Sequence, residues 1–222
     1  MSGNQAGFLL EPEAIQLLQT YDIAYPSHGV AHSAEEAARV ADWVGYPVVL
    51  KVVSRDVVHK SDAGGVAVGL KNASSVRDAY EQIVRLAGDR VSGSEIQGVL
   101  VCEQAPPGLE VIVGGLKDAL FGPTVMFGLG GIFVEVLKDV SFRVAPLERR
   151  DAEEMVREIQ GYPLLKGVRG QEGCDIDSLV DLLIQVSRLM MERPDIQELD
   201  MNPVRVYGQG LLALDVRVLT GC

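Results

Sequence analysis

The chain has 222 residues, 47% of them apolar and 5% aromatic, enough to bury a full core in one large domain or two small intimate ones, and too apolar for disorder. Its formal net charge of −11 argues against a nucleic-acid partner, which needs clustered Lys and Arg. It leaves room for a phosphate-bearing small molecule, because local donors outweigh net charge inside a cleft. The three cysteines, Cys102, Cys174 and Cys222, share no metal or disulfide spacing, which points to a reduced setting. With no signal-peptide pattern and no run near the roughly 18 apolar residues of a membrane span, a cytoplasmic protein is expected.

Glu11 to Tyr21 carries apolar residues at helical spacing, with Pro12 in the first turn. Ser33, followed three residues later by Glu36, has the capping-box spacing for a second helix to Val44, stopped by Tyr46-Pro47. Val48–Val53 reads as a buried strand bearing one charge, Lys51. A turn at Gly64-Gly65 leads into a strand over 66–70, and Ser74 is the expected cap of a helix to Leu86. Strands are expected over 98–103 and 110–114, with a further apolar run ending at Phe127. Residues 150–161 read as helix, and Asp177–Glu192 more strongly so, with Leu179, Leu182, Leu183, Val186, Leu189 and Met190 forming one stripe. Alternating helices and strands with short loops indicate an α/β or α+β architecture. Gly, Ser and charge cluster near 90–97, the expected boundary between a unit over 1–95 and one over 96–222.

Five segments carry candidate chemistry. An ammonium inside an apolar strand needs a carboxylate or phosphate partner, unless Lys51 snorkels from the strand end. In His59-Lys60-Ser61-Asp62-Ala63-Gly64-Gly65, paired glycines before a strand allow backbone amides to cradle phosphate oxygens. As an ordinary turn they would serve equally, and His59 would be a loop residue. Glu103-Gln104 ends a strand before a Pro-rich connection and Glu110, either a hinge whose backbone reads a base edge or an edge strand with a loop. Gly128, Gly130 and Gly131 suggest a loop closing on something small, flanked by Glu135 and Arg143, or a flexible hairpin turn.

The most informative segment is Glu198-Leu-Asp200-Met-Asn202-Pro203, which runs through Gly208-Gln209-Gly210 to Asp215. A turn centred on Gly208-Gln209 places Asn202 opposite Asp215. Strand alternation puts Glu198, Asp200 and Asn202 on one face, with Leu199 and Met201 on the other. Hard oxygens converging from two strands suit Mg²⁺; an isolated hairpin of this kind would more simply be an acidic, solvated face.

In order, YPVVLKVVS, HKSDAGGV, the strand with Glu103 and GLE, FGPTVMFGLGGIFVEVLKDVSFRVAPL, LLKGVRG and ELDMNPV…ALDVRV resemble the ATP-grasp beta subunit of ADP-forming acyl-CoA synthetases, the acetate–CoA ligase type. The resemblance runs from about residue 8 to 218, and it extends more distantly to the succinyl-CoA synthetase beta subunit. It implies an α+β ATP-grasp fold, in which two α+β subdomains clasp a nucleotide. It also implies that Lys51 contacts nucleotide phosphates, that the Gly64-Gly65 loop lies over them, and that Glu103 and Gln104 form the adenine hinge. Glu110 would bind ribose or phosphates, and Asn202 and Asp215 would be Mg²⁺ ligands with Asp200 nearby. His59 matches a second phosphoryl carrier.

The implied reaction is acyl-CoA, ADP and phosphate going to free acid, CoA and ATP. It proceeds through an acyl phosphate and a phosphohistidine of an alpha subunit, commonly in an α2β2 heterotetramer. The CoA-binding domain and the primary phosphohistidine region have no counterpart in these residues, so an alpha subunit is expected to complete the enzyme. The rival expectation is a regulatory or degenerate ATP-grasp domain, as in acetyltransferase fusions. A lone carboxylate–amine ligase fits the FGLGGIFVEVLKDVSFR stretch less well.

Overall fold

The structure, a computed structural model, describes residues 7–55, 60, 64–90, 96–131, 139–168 and 172–221. They form two compact units. One comprises residues 10–12 and 26–106, the other 1–9, 13–25 and 107–222. The division expected at residue 95 falls one strand early. The strand β5 (Ile96–Glu103) hydrogen-bonds to β2 (His28–Ala31) and β3 (Val48–Ser54), and so completes the smaller unit's sheet. The larger unit also takes in residues 13–25, most of helix α1 (Glu11–Gln19), which a boundary in the linear sequence could not represent.

The smaller unit is a four-stranded antiparallel sheet in the order β2-β5-β3-β4, where β4 is Val66–Leu70. Helices α2 (Ala34–Val44) and α3 (Ala73–Arg90) cover one face. Ala37, Ala38 and Ala41 of α2 and Val76, Ile83 and Ala87 of α3 pack on Val48, Leu50, Val52, Val99 and Val101. Small alanines let α2 approach closely, while β-branched residues fill the pleat. Ser33 caps α2, accepting the Glu36 amide at 3.2 Å. The Glu36 carboxylate reaches one residue further back than a simple capping box, to the His32 amide. For α3 the cap is Asn72 rather than Ser74: its Oδ1 accepts the Ser75 amide at 2.9 Å. An Asn carbonyl at that position satisfies an orphan amide of the first turn, and Ser74 falls inside the helix.

The larger unit is a seven-stranded sheet, entirely antiparallel, in the order β1-β11-β9-β6-β7-β8 with β10 also on β9. These strands are Gly7–Phe8, Val216–Thr220, Ile196–Val206, Leu109–Asp118, Gly122–Leu129, Val140–Val144 and Leu211–Ala213 respectively. The outermost pair joins the two ends of the described chain, Gly7 opposite Thr220. Helices α4 (Arg149–Glu158) and α6 (Ile176–Glu192) lie against one face. All six apolar residues expected to form the stripe of α6 are buried. A short helix, α5 (Tyr162–Leu165), connects them.

Asp175 ties α6 to the hairpin between β9 and β10. Its carboxylate accepts the Ser178 amide at 3.0 Å as the helix cap, and the Gly210 amide at 2.8 Å. Gly210 sits at φ +71°, a left-handed turn conformation that favours glycine. These bonds, from Gly210 first and then from Ser178, hold the Asp175 carboxyl below the ordinary carboxylate range.

Two outcomes are expected. Leu183→Ala, deleting a fully buried side chain of α6, should lower urea-unfolding stability by about 2–5 kcal/mol. Asp175→Ala should cost about 0.5–2 kcal/mol at neutral pH. Because the folded-state value is the depressed one, this contribution is complete above the unfolded carboxyl value near ~4 and is lost as pH falls through the folded value. Wild type and variant should therefore converge in stability when urea melts are repeated at progressively lower pH.

Candidate functional site

Lys51 lies mid-strand in β3, on the face opposite α2 and α3, and is only 8% exposed. Its partner is a carboxylate: Nζ donates to Glu11 Oε1 at 2.7 Å. Lys60 Nζ donates to Oε2 of the same residue. A buried cation without an anion would be unstable, and Glu11 supplies the charge that the strand reading demanded. Forty residues of separation conceal this pairing from sequence. Read along the chain, Glu11-Pro12 is only the opening of a helix.

The glycine pair is built for close packing. Gly64 sits at φ +71°, and a Cβ on Gly65 would come within 2.5 Å of Val52 Cγ1 and 3.1 Å of the Lys60 carbonyl oxygen. The Gly65 amide donates to that Lys60 carbonyl at 2.7 Å, and its own carbonyl accepts the Val52 amide at 2.8 Å. In this structure the Gly65 N–H, expected to help cradle phosphate, holds the base of its own loop. His59, Ser61, Asp62 and Ala63 lie outside the described residues.

At the end of β5, the Glu103 side chain is exposed while its amide bonds to the Ser27 carbonyl at 2.8 Å. Gln104 is built into the sheet: its amide donates to Pro47 O at 3.0 Å, and its side-chain Oε1 accepts the Gly69 amide at 2.7 Å.

In the larger unit, β9 and its return strands have the register set by a turn at Gly208-Gln209. Val206 faces Leu211, Val204 faces Ala213, and Met201 faces Val216. Between the paired segments, Asn202 donates its backbone amide to the Asp215 carbonyl at 3.2 Å, so these two residues are opposed as the spacing predicts. Leu199 and Met201 are buried, while Glu198, Asp200 and Asn202 border an open cavity of about 760 Å³. Ile112, Met126 and Phe142 supply much of its apolar wall. Burial pushes the Asp200 carboxyl up; Arg217, opposite it in β11, pulls it down, and the Glu198 and Asp215 carboxylates add to the rise. The Arg217 guanidinium also lies over the Phe8 ring, 4.9 Å from its centroid.

Among the described residues, no three His, Cys, Asp or Glu side chains form a ready-made metal cage. The donor set at Asn202, Asp215 and Asp200 is one amide and two carboxylates. It fits Mg²⁺, which takes few protein oxygens and completes its shell with water and phosphate. The Glu198 and Asp215 carboxylates both disfavour charge on Asp200, and Arg217 partly offsets them.

Glu110, on β6, pairs with Arg205 on β9 at 2.5 Å, and its carbonyl accepts the Gly130 amide at 2.8 Å. Arg205 went unrecognised in the sequence, since its pairing depends on the β6–β9 register. Of the residues expected to flank the Gly128–Gly131 segment, Arg143 pairs with Glu158 at 2.7 Å, and Glu135 lies outside the described residues. No helix among the described residues is long and apolar enough to cross a membrane.

The chain matches the ATP-grasp domain model over residues 2–219. It is 47% identical over 211 residues to the beta subunit of acetate–CoA ligase (ADP-forming) I of Pyrococcus furiosus, covering 95% of this chain and 91% of that one. It is 45% identical to acetate–CoA ligase (ADP-forming) I of Archaeoglobus fulgidus, matching 97% of this chain but 31% of that protein. Among solved structures, it resembles dinucleotide forming acetyl-coenzyme A synthetase 1 of Ca. Korarchaeum cryptofilum, in complex with coenzyme A, Ca-AMPCP and HgCl⁺. The TM-score is 0.95 at 48% identity, covering 97% of this chain and 94% of that one. The chain belongs to the ATP-grasp family, among the beta subunits of ADP-forming acyl-CoA synthetases.

Proposed function

We propose that this chain carries out the nucleotide half-reaction of an ADP-forming acyl-CoA synthetase, moving a phosphoryl group between a phosphohistidine and ADP. The overall reaction is acyl-CoA + ADP + phosphate = acid + CoA + ATP. The observation that carries the reading is the opposition of Asn202 and Asp215 beside Asp200, on a cavity-bearing sheet face, in a chain aligned nearly end to end with a beta subunit of such a ligase.

The residues divide the work by their chemistry. Lys51, held at a fixed position, offsets phosphate charge, and the segment around Gly64 lies over the phosphates. Glu103 meets the ribose hydroxyls, with the strand end at Gln104 reading the base edge; Glu110, oriented by Arg205, faces ribose or phosphate. Asn202, Asp215 and Asp200 would hold Mg²⁺, which when bound neutralises phosphoryl oxygens and fixes their geometry. Little covalent chemistry is asked of the protein: positioning and charge neutralisation account for the catalysis of phosphoryl transfer. His59 is proposed as a second phosphoryl carrier.

The chain spans less than a third of the Archaeoglobus relative, while the Pyrococcus relative matched over 91% of its length is a beta subunit; an alpha subunit carrying the CoA-binding domain and the first phosphohistidine is proposed as the partner, in an α2β2 assembly. A phosphohistidine segment is present in the Korarchaeum enzyme. The regulatory alternative is not favoured, because relatives aligned over nearly the whole of this chain are ligases.

Calorimetric titration of the chain with ADP should show binding that strengthens on adding Mg²⁺. Asp215→Ala should remove about tenfold or more of that metal-dependent gain. An unchanged gain would take Asp215 out of the metal shell, and no ADP binding by a folded chain would overturn the nucleotide reading. In a coupled assay, the chain alone should form no ATP from acetyl-CoA, ADP and phosphate. Turnover should appear only on adding an alpha subunit from a related synthetase; ATP formation by the chain alone would refute the division of labour.

A further inference from the structure

Glu11 is the most enclosed carboxylate in the smaller unit's charged cluster: its side chain is 1% exposed, and both of its oxygens are taken by lysines. Lys51 Nζ sits on Oε1 at 2.7 Å, and Lys60 Nζ sits on Oε2. The two lysines come from different places. Lys51 is in the middle of β3, and Lys60 closes the base of the glycine segment through its carbonyl, which accepts the Gly65 amide at 2.7 Å. Gly65 in turn returns to β3 by accepting the Val52 amide. One carboxylate therefore joins the strand and the loop base in a closed circuit of bonds: Glu11, Lys60, Gly65, Val52, Lys51.

A lysine ammonium is a point charge on a flexible four-carbon stem. Left to itself it samples many rotamers, and its effect on a phosphate falls with each ångström of misplacement. Glu11 removes that freedom before any ligand arrives. We propose that Glu11 is a positioning residue for nucleotide phosphate binding, fixing the Lys51 ammonium and, through Lys60, the base of the glycine segment. The proposal rests on the reading of Lys51 as a phosphate contact. It adds that the lysine works only when held by Glu11, so that Glu11 acts on the nucleotide without touching it. A purely structural ion pair would instead alter stability and leave the affinity of the folded protein for ADP where it was.

The test is a double-mutant cycle on the full chain, reading Mg²⁺–ADP affinity by calorimetry at two salt concentrations, with circular dichroism and thermal melting to confirm folding. Glu11→Gln keeps the shape and removes the charge; Lys51→Met removes the ammonium and keeps much of the stem. Glu11→Gln should weaken ADP binding by about tenfold although it removes a negative charge, and Lys51→Met should weaken it comparably and flatten its salt dependence. The double variant should bind within about twofold of Lys51→Met alone, because the two residues act as one unit. Should Glu11→Gln fail to fold, Glu11→Asp retains the charge on a stem one methylene too short to span both lysines, and is expected to bind ADP about threefold or more weaker.

Loss of binding in Lys51→Met with wild-type affinity in a folded Glu11 variant would overturn the proposal and leave the nucleotide reading standing. Additive losses in the double variant would do the same. Unchanged binding in Lys51→Met would remove Lys51 from the phosphate site, and the role of Glu11 with it.

Discussion

The register between β9 and its two return strands is the constraint on which the larger unit's chemistry depends. In an antiparallel pair, a slip of one residue would turn every side chain of β9 to the opposite face. Leu199 and Met201 would then leave the core, and Asp200 and Asn202 would enter it. The burial of the two apolar residues and the turning of the polar ones onto the cavity are therefore one decision. Asp175 helps to fix it from outside the sheet, since the same carboxylate caps α6 and holds the Gly210 amide of the turn. Helix, turn and register are thus coupled through a single side chain, and the backbones of Asn202 and Asp215 are opposed across the two strands.

The smaller unit solves a different problem with comparable economy. Its helices cover one face of the sheet with alanine and valine, leaving the other face of β3 to present Lys51. A charge there is tolerated because Glu11 is brought against it. The cluster is better understood as preorganisation than as a source of stability. Buried ion pairs seldom outperform well-packed apolar residues energetically, whereas they do fix geometry.

What the sequence revealed followed the reach of each signal. Strand alternation, the helical stripe of α6 and the Gly208-Gln209 turn act over a few residues, and each predicted its element; the turn also predicted the opposition of Asn202 and Asp215. Local capping was nearly right for α2 but two residues late for α3, where Asn72 and Ser74 are both acceptable caps and only the helix start decides. Pairings set by tertiary register left no mark in the chain. Glu11 with Lys51, Glu110 with Arg205, and the use of Gln104 Oε1 by Gly69 all join residues tens of positions apart. The bond from the Gly65 amide to the Lys60 carbonyl was hidden for a related reason: a glycine required by a close contact looks the same in sequence as one whose amide awaits a ligand. The ordered resemblance to a family carried the functional reading where such local signals could not.

The pairing of Gly7 with Thr220 bears on how the molecule is made. The sheet of the smaller unit is built wholly from strands between His28 and Glu103, so its backbone ladder can close while the ribosome is still translating the second half of the chain. The seven-stranded sheet has no such freedom. Its central strand β9 is flanked on one side by β11, the last strand described, and β1 must wait for β11 before it has any partner. During synthesis β1 thus has no ladder partner until β11 emerges, and the seven-stranded sheet described here can close only then.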